Sequence, residues 1–234
     1  MLNQHDEQAL SREFETDRRL RISNFLLPGY ADSLEQVCSD QIEYEYAFAA
    51  RGENKVLSAA ELAQLSSEEQ AKLQEQLTQD ASRGVGFFYG SYMMGRKRQS
   101  DADAPPKALV EFLDLLNSPQ MLSFVNTITG GSDVVVADMQ CTRYMPGNYL
   151  TRHKDDVAGQ TRRFAYVFSI TKQWHPDWGG LLQFFEADGT PRDAWAPAMN
   201  TLSLFDVEHV HSVTYVAPFA VAPRLSITGW YYSR

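Results

Sequence analysis

His153 and Asp155 are the residues of this chain whose types and spacing most directly suggest metal chemistry. On an extended strand, residues i and i+2 project from the same face, so one strand would offer an imidazole and a carboxylate together. A second imidazole from a distant strand would complete a set of two histidines and one carboxylate. Such a set occupies one face of an octahedral ion, leaves the opposite positions open, and is typical of non-haem Fe(II) oxygenases.

The second histidine must be one of His5, His175, His209 and His211. His5 lies in a polar N-terminal stretch with few structural cues, and the Pro and Gly-Gly that follow His175 predict a turn. His209 and His211 both precede a run of β-forming residues at 214–216, so period-2 geometry alone could place either side chain inward. Geometry therefore leaves two candidates.

The segment that starts at His211 resembles the 2-oxoglutarate- and Fe(II)-dependent dioxygenases. His211-Ser212-Val213 is similar to their His-x-Val, and Arg224-Leu225-Ser226 to their Arg-x-Ser. The resemblance implies that His211 completes the metal site with His153 and Asp155, and that Arg224 and Ser226 bind 2-oxoglutarate. Arg suits this role because its planar fork donates two parallel hydrogen bonds to a carboxylate and keeps its charge.

The residues before the metal motif resemble the prolyl hydroxylase branch of that family. Tyr144-Met145-Pro146-Gly147 is similar to its Tyr-x-Pro-Gly segment, which implies that Tyr144 helps to bind the co-substrate. The segment 22–28 resembles the strand that opens the catalytic module in the branch that includes the ribosomal-protein prolyl hydroxylases. The main resemblance covers roughly residues 134–234.

The elements that must position these residues are predicted to be mostly short strands. Turns separate the predicted strands, and Asp188-Gly189 is a hairpin turn signal. The predicted strands are 134–144, 164–171, 181–186, 200–205, 211–216 and 224–232. This pattern suits a double-stranded β-helix, or jelly roll, which the resemblance also implies.

Residues 1–133 are predicted to be mainly helical and to support the jelly-roll core at 134–234, which gives an α+β fold in one domain, 1–234. Pro28 to Ser39 has helical spacing, Ser58 and Ser66 open capping boxes, and Pro105-Pro106 and Ser118-Pro119 begin two further helices. The stretch 83–98 is interpreted as a strand followed by a solvated basic cluster, Arg96-Lys97-Arg98, or alternatively as a lid over the substrate.

Composition narrows the class of partner and the location. A net charge of −9 over 234 residues argues against a broad phosphate-binding surface, so nucleic acid is not expected as a substrate. The chain shows no membrane-spanning run and no signal-peptide pattern, and a soluble cytoplasmic protein is expected. Cys38 and Cys141 are too few for a disulfide framework or a thiolate metal site, and are interpreted as buried hydrophobic residues.

The function that the resemblance implies is hydroxylation of a C–H bond, with a prolyl residue of a protein or peptide as the expected substrate. Fe(II), 2-oxoglutarate and O2 are the expected cofactor and co-substrates, with ascorbate supporting activity. One alternative is a hydroxylase of a free amino acid or other metabolite, and another is a catalytically silent jelly-roll binding protein. An open groove would favour a peptide, and a tight closed pocket would favour a metabolite.

Several neighbours of the motif receive no role in catalysis. Asp156 is expected to point away from the site as a surface or supporting acid. The tryptophans are interpreted mainly as packing residues, and the clustered arginines as a solvated strand edge. These residues are Trp174, Trp178, Trp230, Arg143, Arg152, Arg162 and Arg163.

Overall fold

The computed structural model of the protein describes residues 1–97 and 104–234. The helices are α1 (Glu7–Asp17), α2 (Pro28–Asp40), α3 (Ala59–Gln64), α4 (Ser67–Arg83), α5 (Met94–Lys97), α6 (Lys107–Leu116) and α7 (Pro119–Thr129). The strands are β1 (Arg19–Ser23), β2 (Glu45–Ala50), β3 (Glu53–Leu57), β4 (Phe87–Met93), β5 (Val134–Ala137), β6 (Gln140–Tyr144), β7 (Tyr149–His153), β8 (Arg162–Ser169), β9 (Leu182–Phe185), β10 (Pro191–Trp195), β11 (Thr201–Asp206), β12 (His211–Val213) and β13 (Arg224–Ser233).

The strands form one curled antiparallel sheet in the order β1-β11-β8-β13-β6-β4-β7-β12-β9-β10. Strand β4 joins its two halves, because it pairs with β6 along most of its length and with β7 at its start. Side chains of β6 and β13 line the same cleft as those of β7 and β12, so the two halves face each other. The α+β class and the jelly-roll core are thus confirmed. The helices α1–α7 all lie in the N-terminal part of the sequence, before residue 130.

The larger half of the sheet consists of β1, β11, β8, β13 and β6, and the smaller half of β7, β12, β9 and β10. The helices cover the outer face of the larger half. Phe14 of α1 packs edge-on against Phe164 with ring centroids 5.6 Å apart, and Phe112 of α6 lies 5.3 Å from Phe168. Both partners are on β8, where they alternate with residues that face the cleft. Burial of this apolar face holds the larger half of the sheet against the helices while its inner face remains free to build a site.

Several local predictions are confirmed by the backbone. Both capping boxes form, with Ser58 bonded to Glu61 and Ser66 to Glu69. Ser118 caps α7 at its start, and Gly130 ends it with a left-handed φ of 69°. A turn containing Gly189, with a φ of 88°, joins β9 to β10.

Other elements were not predicted. The β2–β3 hairpin turns at Arg51 and Gly52, which both have positive φ, but Arg-Gly is not a common signal for such a turn and β3 is almost wholly exposed. Helix α1 buries only Phe14, so its sequence has little apolar periodicity. Strand β10 is short and mostly exposed, and the sequence did not predict it.

The stretch 83–98 contains the predicted strand, as β4. The basic cluster Arg96-Lys97-Arg98 falls outside the side chains that the structure describes. Within the described ranges, none of the helices has the length and apolar character needed to cross a membrane.

Candidate metal and co-substrate site

His153, Asp155 and His211 come together in the cleft between the two halves of the sheet. His153 is the last residue of β7 and pairs directly with His211, the first residue of β12. The His153 Nε2 lies 3.6 Å from one oxygen of Asp155, and the His211 Nε2 lies 3.4 Å from the other. The potential ligand atoms of the three residues all lie within 4.8 Å of one another, close enough to surround one ion.

A bulge in β7 helps to aim His153. Between the pairs His211–His153 and Val213–Leu150, β12 advances two residues and β7 advances three. Such an extra residue bends a strand and redirects the side chains next to it. The prediction that Asp155 lies on the same strand as His153 is wrong. Asp155 lies in a bend just beyond β7, where its backbone N–H donates to the carbonyl of Val207. Its carboxylate nevertheless reaches both imidazoles.

Each imidazole is oriented through its other nitrogen. The Nδ1 of His153 lies 2.9 Å from the carbonyl of Thr151, and the Nδ1 of His211 lies 3.0 Å from the carbonyl of His209. A carbonyl only accepts, so each Nδ1 carries the proton and each Nε2 is left with a lone pair. Both lone pairs are therefore available to a metal ion.

Burial sets the charge of these groups. Burial, together with the nearby His153, lowers the pKa of His211 to about 4, so that its imidazole is neutral at neutral pH. Burial alone would raise the pKa of Asp155, but the two adjacent imidazoles outweigh it and hold the pKa below its usual value. Two neutral imidazoles and one carboxylate are the protonation states in which these residues bind metal. The donor set fits Fe(II).

Arg224 supplies a buried positive charge in the same cleft. It is 2% exposed, and among the described residues no carboxylate forms an ion pair with it. Its guanidinium lies 5.0 Å from the ring centroid of Tyr144, the residue opposite it on β6. Burial lowers the pKa of Arg224, because the surrounding protein solvates the charge less well than water does. Such a cation requires an anion to bind beside it.

Two unpaired hydroxyls lie next to this cation. Ser226 follows Arg224 by two residues on β13, and Ser169 of β8 is its direct cross-strand neighbour. Both serines are buried, and neither Oγ has a hydrogen-bond partner among the described residues. Arg224, Ser226 and Ser169 thus present a cation and two free hydroxyls on one inward face, as a bound carboxylate requires.

Tyr144 is held between Arg224 and a second tyrosine. Tyr89 of β4 stacks on its ring at 5.0 Å with the two planes 16° apart. Burial raises the pKa of Tyr144, so its hydroxyl stays protonated and can donate.

Gly180, with a φ of 61°, lies against the aliphatic part of Arg224, where an added Cβ would sit 3.2 Å from the arginine Cδ.

The cleft has a volume of about 540 Å³ and also extends past the metal residues to Arg162 and Trp230. The Arg162 guanidinium lies 3.6 Å from the Trp230 ring centroid and 3.5 Å from the backbone carbonyl of Asp155. Asn54 of the β2–β3 hairpin and Val85, before β4, also line the cleft. The hairpin that the sequence did not reveal therefore contributes to the site.

The sequence-predicted residues His153, Asp155, His211, Arg224 and Tyr144 all line this cleft, whereas Ser226 is buried and does not line it. His209 points instead toward the end of α1, and Asp156 is exposed.

Trp174 and Trp178 pack against each other, as expected, whereas Arg162 and Trp230 belong to the cleft. Ser169 was missed. Its only sequence signal is its place on the inner face of β8, which becomes informative once its register with Ser226 is known.

The family model described as the 2OG-Fe(II) oxygenase superfamily matches residues 139–232. The prolyl 3-hydroxylase OGFOD1 of Mus musculus is 33% identical over 102 residues, which cover 41% of this chain and 18% of that protein. Its Xenopus laevis counterpart is 29% identical over 116 residues, which cover 47% of this chain and 22% of that protein. The matched segment spans about a fifth of the length of these relatives.

Two solved structures share the fold over nearly the whole chain. A Pseudomonas putida prolyl-4-hydroxylase superposes with a TM-score of 0.62 at 19% identity, and covers 98% of this chain and 100% of its own. A Trichoplax adhaerens prolyl hydroxylase, solved in complex with a hypoxia inducible factor peptide fragment, gives 0.63 at 18% identity, and covers 97% and 89%. The likeness extends to residues 1–138, which the family model does not match.

Proposed function

We propose that this chain, whose residues 139–232 match the 2OG-Fe(II) oxygenase superfamily, is a prolyl hydroxylase-like member of that superfamily and hydroxylates a prolyl residue in a protein or peptide. The reaction would consume 2-oxoglutarate and O2 and release succinate and CO2. The observation that carries the proposal is that one cleft holds a His-Asp-His set and a buried arginine with no carboxylate partner among the described residues.

His153, Asp155 and His211 would hold Fe(II). The bound iron, with 2-oxoglutarate and O2, would supply the oxidising power that C–H hydroxylation requires, and ascorbate would support activity by keeping the iron reduced. The chain's own contribution is to present the three ligands before the metal arrives, with the His211 imidazole neutral and the Asp155 carboxylate ionised. Because both imidazoles are already hydrogen-bonded through Nδ1, little reorientation is needed on binding.

Arg224, Ser226 and Tyr144 would bind the distal carboxylate of 2-oxoglutarate. The guanidinium would donate charge-assisted hydrogen bonds, and the hydroxyls of Ser226 and Tyr144 would add further donors. The hydroxyl of Ser169, which has no hydrogen-bond partner among the described residues and lies opposite Ser226 in the sheet, would be a further donor. Binding would replace an unpaired buried charge with a neutralised pair, which favours an anionic ligand over a neutral one.

The prime substrate would enter at the Arg162–Trp230 end, because the opposite end of the cleft holds the co-substrate residues. Arg162 has an Nε without a hydrogen-bond partner among the described residues, and Trp230 offers an aromatic surface. A peptide supplies backbone carbonyls for the guanidinium and an apolar pyrrolidine ring for the indole.

A protein substrate is further supported by what the relatives are named for. OGFOD1 is a prolyl 3-hydroxylase, and the Trichoplax enzyme was solved with a peptide fragment. A free amino acid or other metabolite, processed by the same chemistry, is the alternative that the substrate test must separate from a peptide.

The test is to incubate iron-loaded protein with 2-oxoglutarate, ascorbate and a library of proline-containing peptides, and to examine the peptides by mass spectrometry. We expect one peptide class to gain one oxygen atom per succinate formed, with the oxygen on proline. The same peptides with proline replaced by alanine should remain unmodified. Oxygen on another residue, or turnover stimulated only by small metabolites, would contradict a prolyl protein substrate.

A further inference from the structure

We propose that Thr151 and His209 are positioning residues that fasten the two histidine ligands to the N-terminal part of the chain. The inference rests on the proposed function only in that it takes His153 and His211 to be metal ligands. Each positioning residue supplies the carbonyl that orients one imidazole. Each also uses its side chain to bind a segment that precedes the family-matched residues 139–232.

Thr151 connects β7 by hydrogen bonds to the segment that follows α4. Its hydroxyl accepts a hydrogen bond from the backbone N–H of Gly86 at 2.8 Å and donates to the carbonyl of Gly84 at 3.2 Å. Its own backbone N–H donates to the carbonyl of Gly86 at 2.9 Å. Three bonds therefore fix Thr151 in place, within the bulge that aims His153.

The segment that receives Thr151 is itself rigidly placed. A Cβ on Gly86 would lie 2.6 Å from the Cα of Ala81, so this backbone passes directly over the last turn of α4. Helix α4 therefore helps to fix the position of the Thr151 carbonyl, and this carbonyl in turn orients the ring of His153.

His209 performs the same task for His211 from the other side. Its Nε2 lies 2.9 Å from the carbonyl of Asp17, the last residue of α1, and donates to it because a carbonyl only accepts. Its ring also packs edge-on against Phe184, which contacts the His211 ring as well. Arg18 strengthens the connection, since its carbonyl accepts from the N–H of Asp206 and its guanidinium pairs with that carboxylate at 3.1 Å.

These contacts make a physical prediction about metal affinity. Partners that orient metal-binding histidines contribute about 10- to 100-fold to metal affinity. Loss of either side chain should release the orienting carbonyl from its anchor and broaden the range of ring orientations, while all three ligands remain. The effect should therefore appear in metal affinity and coordination geometry, even in the absence of turnover.

The test uses Co(II), whose absorption spectrum reports its coordination geometry, as a probe with the full chain. Thr151→Val and His209→Leu remove the anchoring groups, whereas Thr151→Ser and His209→Gln retain a hydroxyl or an N–H donor. Tyr149→Phe is the matched control, because Tyr149 also ties β7 to α4, through its hydroxyl and Leu77, but its carbonyl orients no ligand. Unfolding of the metal-free variants is measured in parallel to show that each is folded.

We expect Thr151→Val and His209→Leu to bind Co(II) about 10-fold more weakly with an altered spectrum, and the conservative variants and Tyr149→Phe to stay within about threefold of wild type. Unchanged Co(II) binding in Thr151→Val and His209→Leu, or an equal loss in Tyr149→Phe, would overturn the proposal. Wild-type protein that binds no metal would overturn it together with the proposed function. Normal metal binding without succinate formation would overturn the proposed function alone.

Discussion

Arg224 is the residue that most clearly distinguishes a ligand site from a structural core. A buried guanidinium without a carboxylate partner is energetically unfavourable. Among the described residues, the Arg224 guanidinium has a cation–π contact with the Tyr144 ring but no ion pair. A residue kept for stability would be paired. The arrangement is instead what a protein needs in order to hold a carboxylate that arrives from solution.

Replacing Arg224 with Met should therefore change binding and stability in opposite directions. Loss of the carboxylate's charged partner should weaken 2-oxoglutarate binding by about 2–5 kcal/mol, or at least about 30-fold in Kd. The free energy of unfolding of the ligand-free protein should stay the same or rise, because an unpaired buried charge is removed. Calorimetric titration of Mn(II)-loaded protein and denaturant unfolding provide the two measurements.

Arg143→Met is the control for this prediction. Arg143 lies on β6 next to Tyr144, but its guanidinium stacks on Tyr44, 4.4 Å from the ring centroid, away from the cleft. Its replacement should leave 2-oxoglutarate binding unchanged. Equal losses in both variants, or tight binding by Arg224→Met, would remove the basis for the co-substrate assignment.

Arg162 should act on the prime substrate alone. Its replacement by Ala should lower kcat/KM for the peptide substrate at least about 10-fold, the contribution of one hydrogen bond to a charged group. 2-Oxoglutarate affinity should change little, because among the described residues no hydrogen bond or ion pair joins Arg162 to Arg224, Ser226 or Tyr144. Steady-state kinetics with peptide or co-substrate varied separates these effects.

Its neighbour Arg163 offers a close comparison. Arg163 is half-exposed and pairs with Asp133 outside the cleft. We expect Arg163→Ala to turn over peptide at the wild-type rate. A substrate KM that is unaffected in Arg162→Ala would mean that the peptide enters elsewhere.

At the residue level, the sequence predicted the chemistry better than the contacts. His153 and Asp155 could be named from their types and spacing, whereas His211, Arg224 and Tyr144 were named from the family resemblance. Ser169 and the Arg162–Trp230 pair could not, because their significance comes from strand register and from stacking across two strands. Neither relation leaves a periodic trace in the sequence.

At the level of elements, β13 is the strand that joins the site to the rest of the sheet. It pairs with β8, β6 and, near its end, β5, and carries Arg224 and Ser226 at one end and Trp230 toward the other. Gly229 lies where β13 approaches the β5–β6 connection most closely. An added Cβ there would be 2.4 Å from the carbonyl oxygen of Asp138 and 2.9 Å from the hydroxyl of Tyr166.

Gly229→Ala should consequently destabilise the fold. Asp138 cannot easily move, because its carboxylate accepts hydrogen bonds from the backbone of Trp230 and from the hydroxyl of Tyr232, each at 2.7 Å. We expect the free energy of unfolding to fall by about 1–3 kcal/mol, as for other overpacked sites. Denaturant unfolding of the metal-free protein measures this loss.

Gly29→Ala provides the contrasting substitution. Gly29 lies in the first turn of α2 with no atom within 4 Å of an added Cβ, so the change should stabilise the protein by about 0.4–1 kcal/mol. If the Gly229→Ala protein is as stable as Gly29→Ala, Asp138 and Tyr166 can move away from β13 at little cost.

The elements themselves were predictable where a local signal existed. Capping boxes, Ser-Pro starts and a terminal Gly marked helices, and alternating apolar residues marked most strands after 134. The β2–β3 hairpin lacked such signals, because its turn is Arg-Gly and its outer strand is polar. The bulge in β7 was also beyond the sequence pattern, since only its partner strand reveals the extra residue.

For the whole molecule, the main core joins residues from both ends of the chain. It includes Phe14 and Phe25 from the N-terminal part together with Phe168 and Tyr231 from the jelly roll. Strand β1 also pairs with β11 over its full length. The two parts therefore depend on each other for burial, which supports the prediction of one domain at 1–234.

Unfolding should accordingly occur in a single transition. All four tryptophans lie at 174–230, whereas the helices α1–α7 lie before residue 130, so fluorescence and helical circular dichroism report on different parts of the chain. We expect the two signals to change at the same denaturant concentration, as cooperative unfolding requires. Two separated midpoints would instead indicate that residues 1–133 and 134–234 are separate domains.

Iron-dependent conversion of 2-oxoglutarate to succinate by the purified protein, compared with His153→Ala and His175→Ala, tests the iron site and the co-substrate together. His175 is an exposed histidine outside the cleft and serves as the matched control. We predict succinate formation by wild type and His175→Ala, and none above the metal blank by His153→Ala. Failure of folded, iron-loaded wild type to form succinate, or a wild-type rate in His153→Ala, would contradict the account.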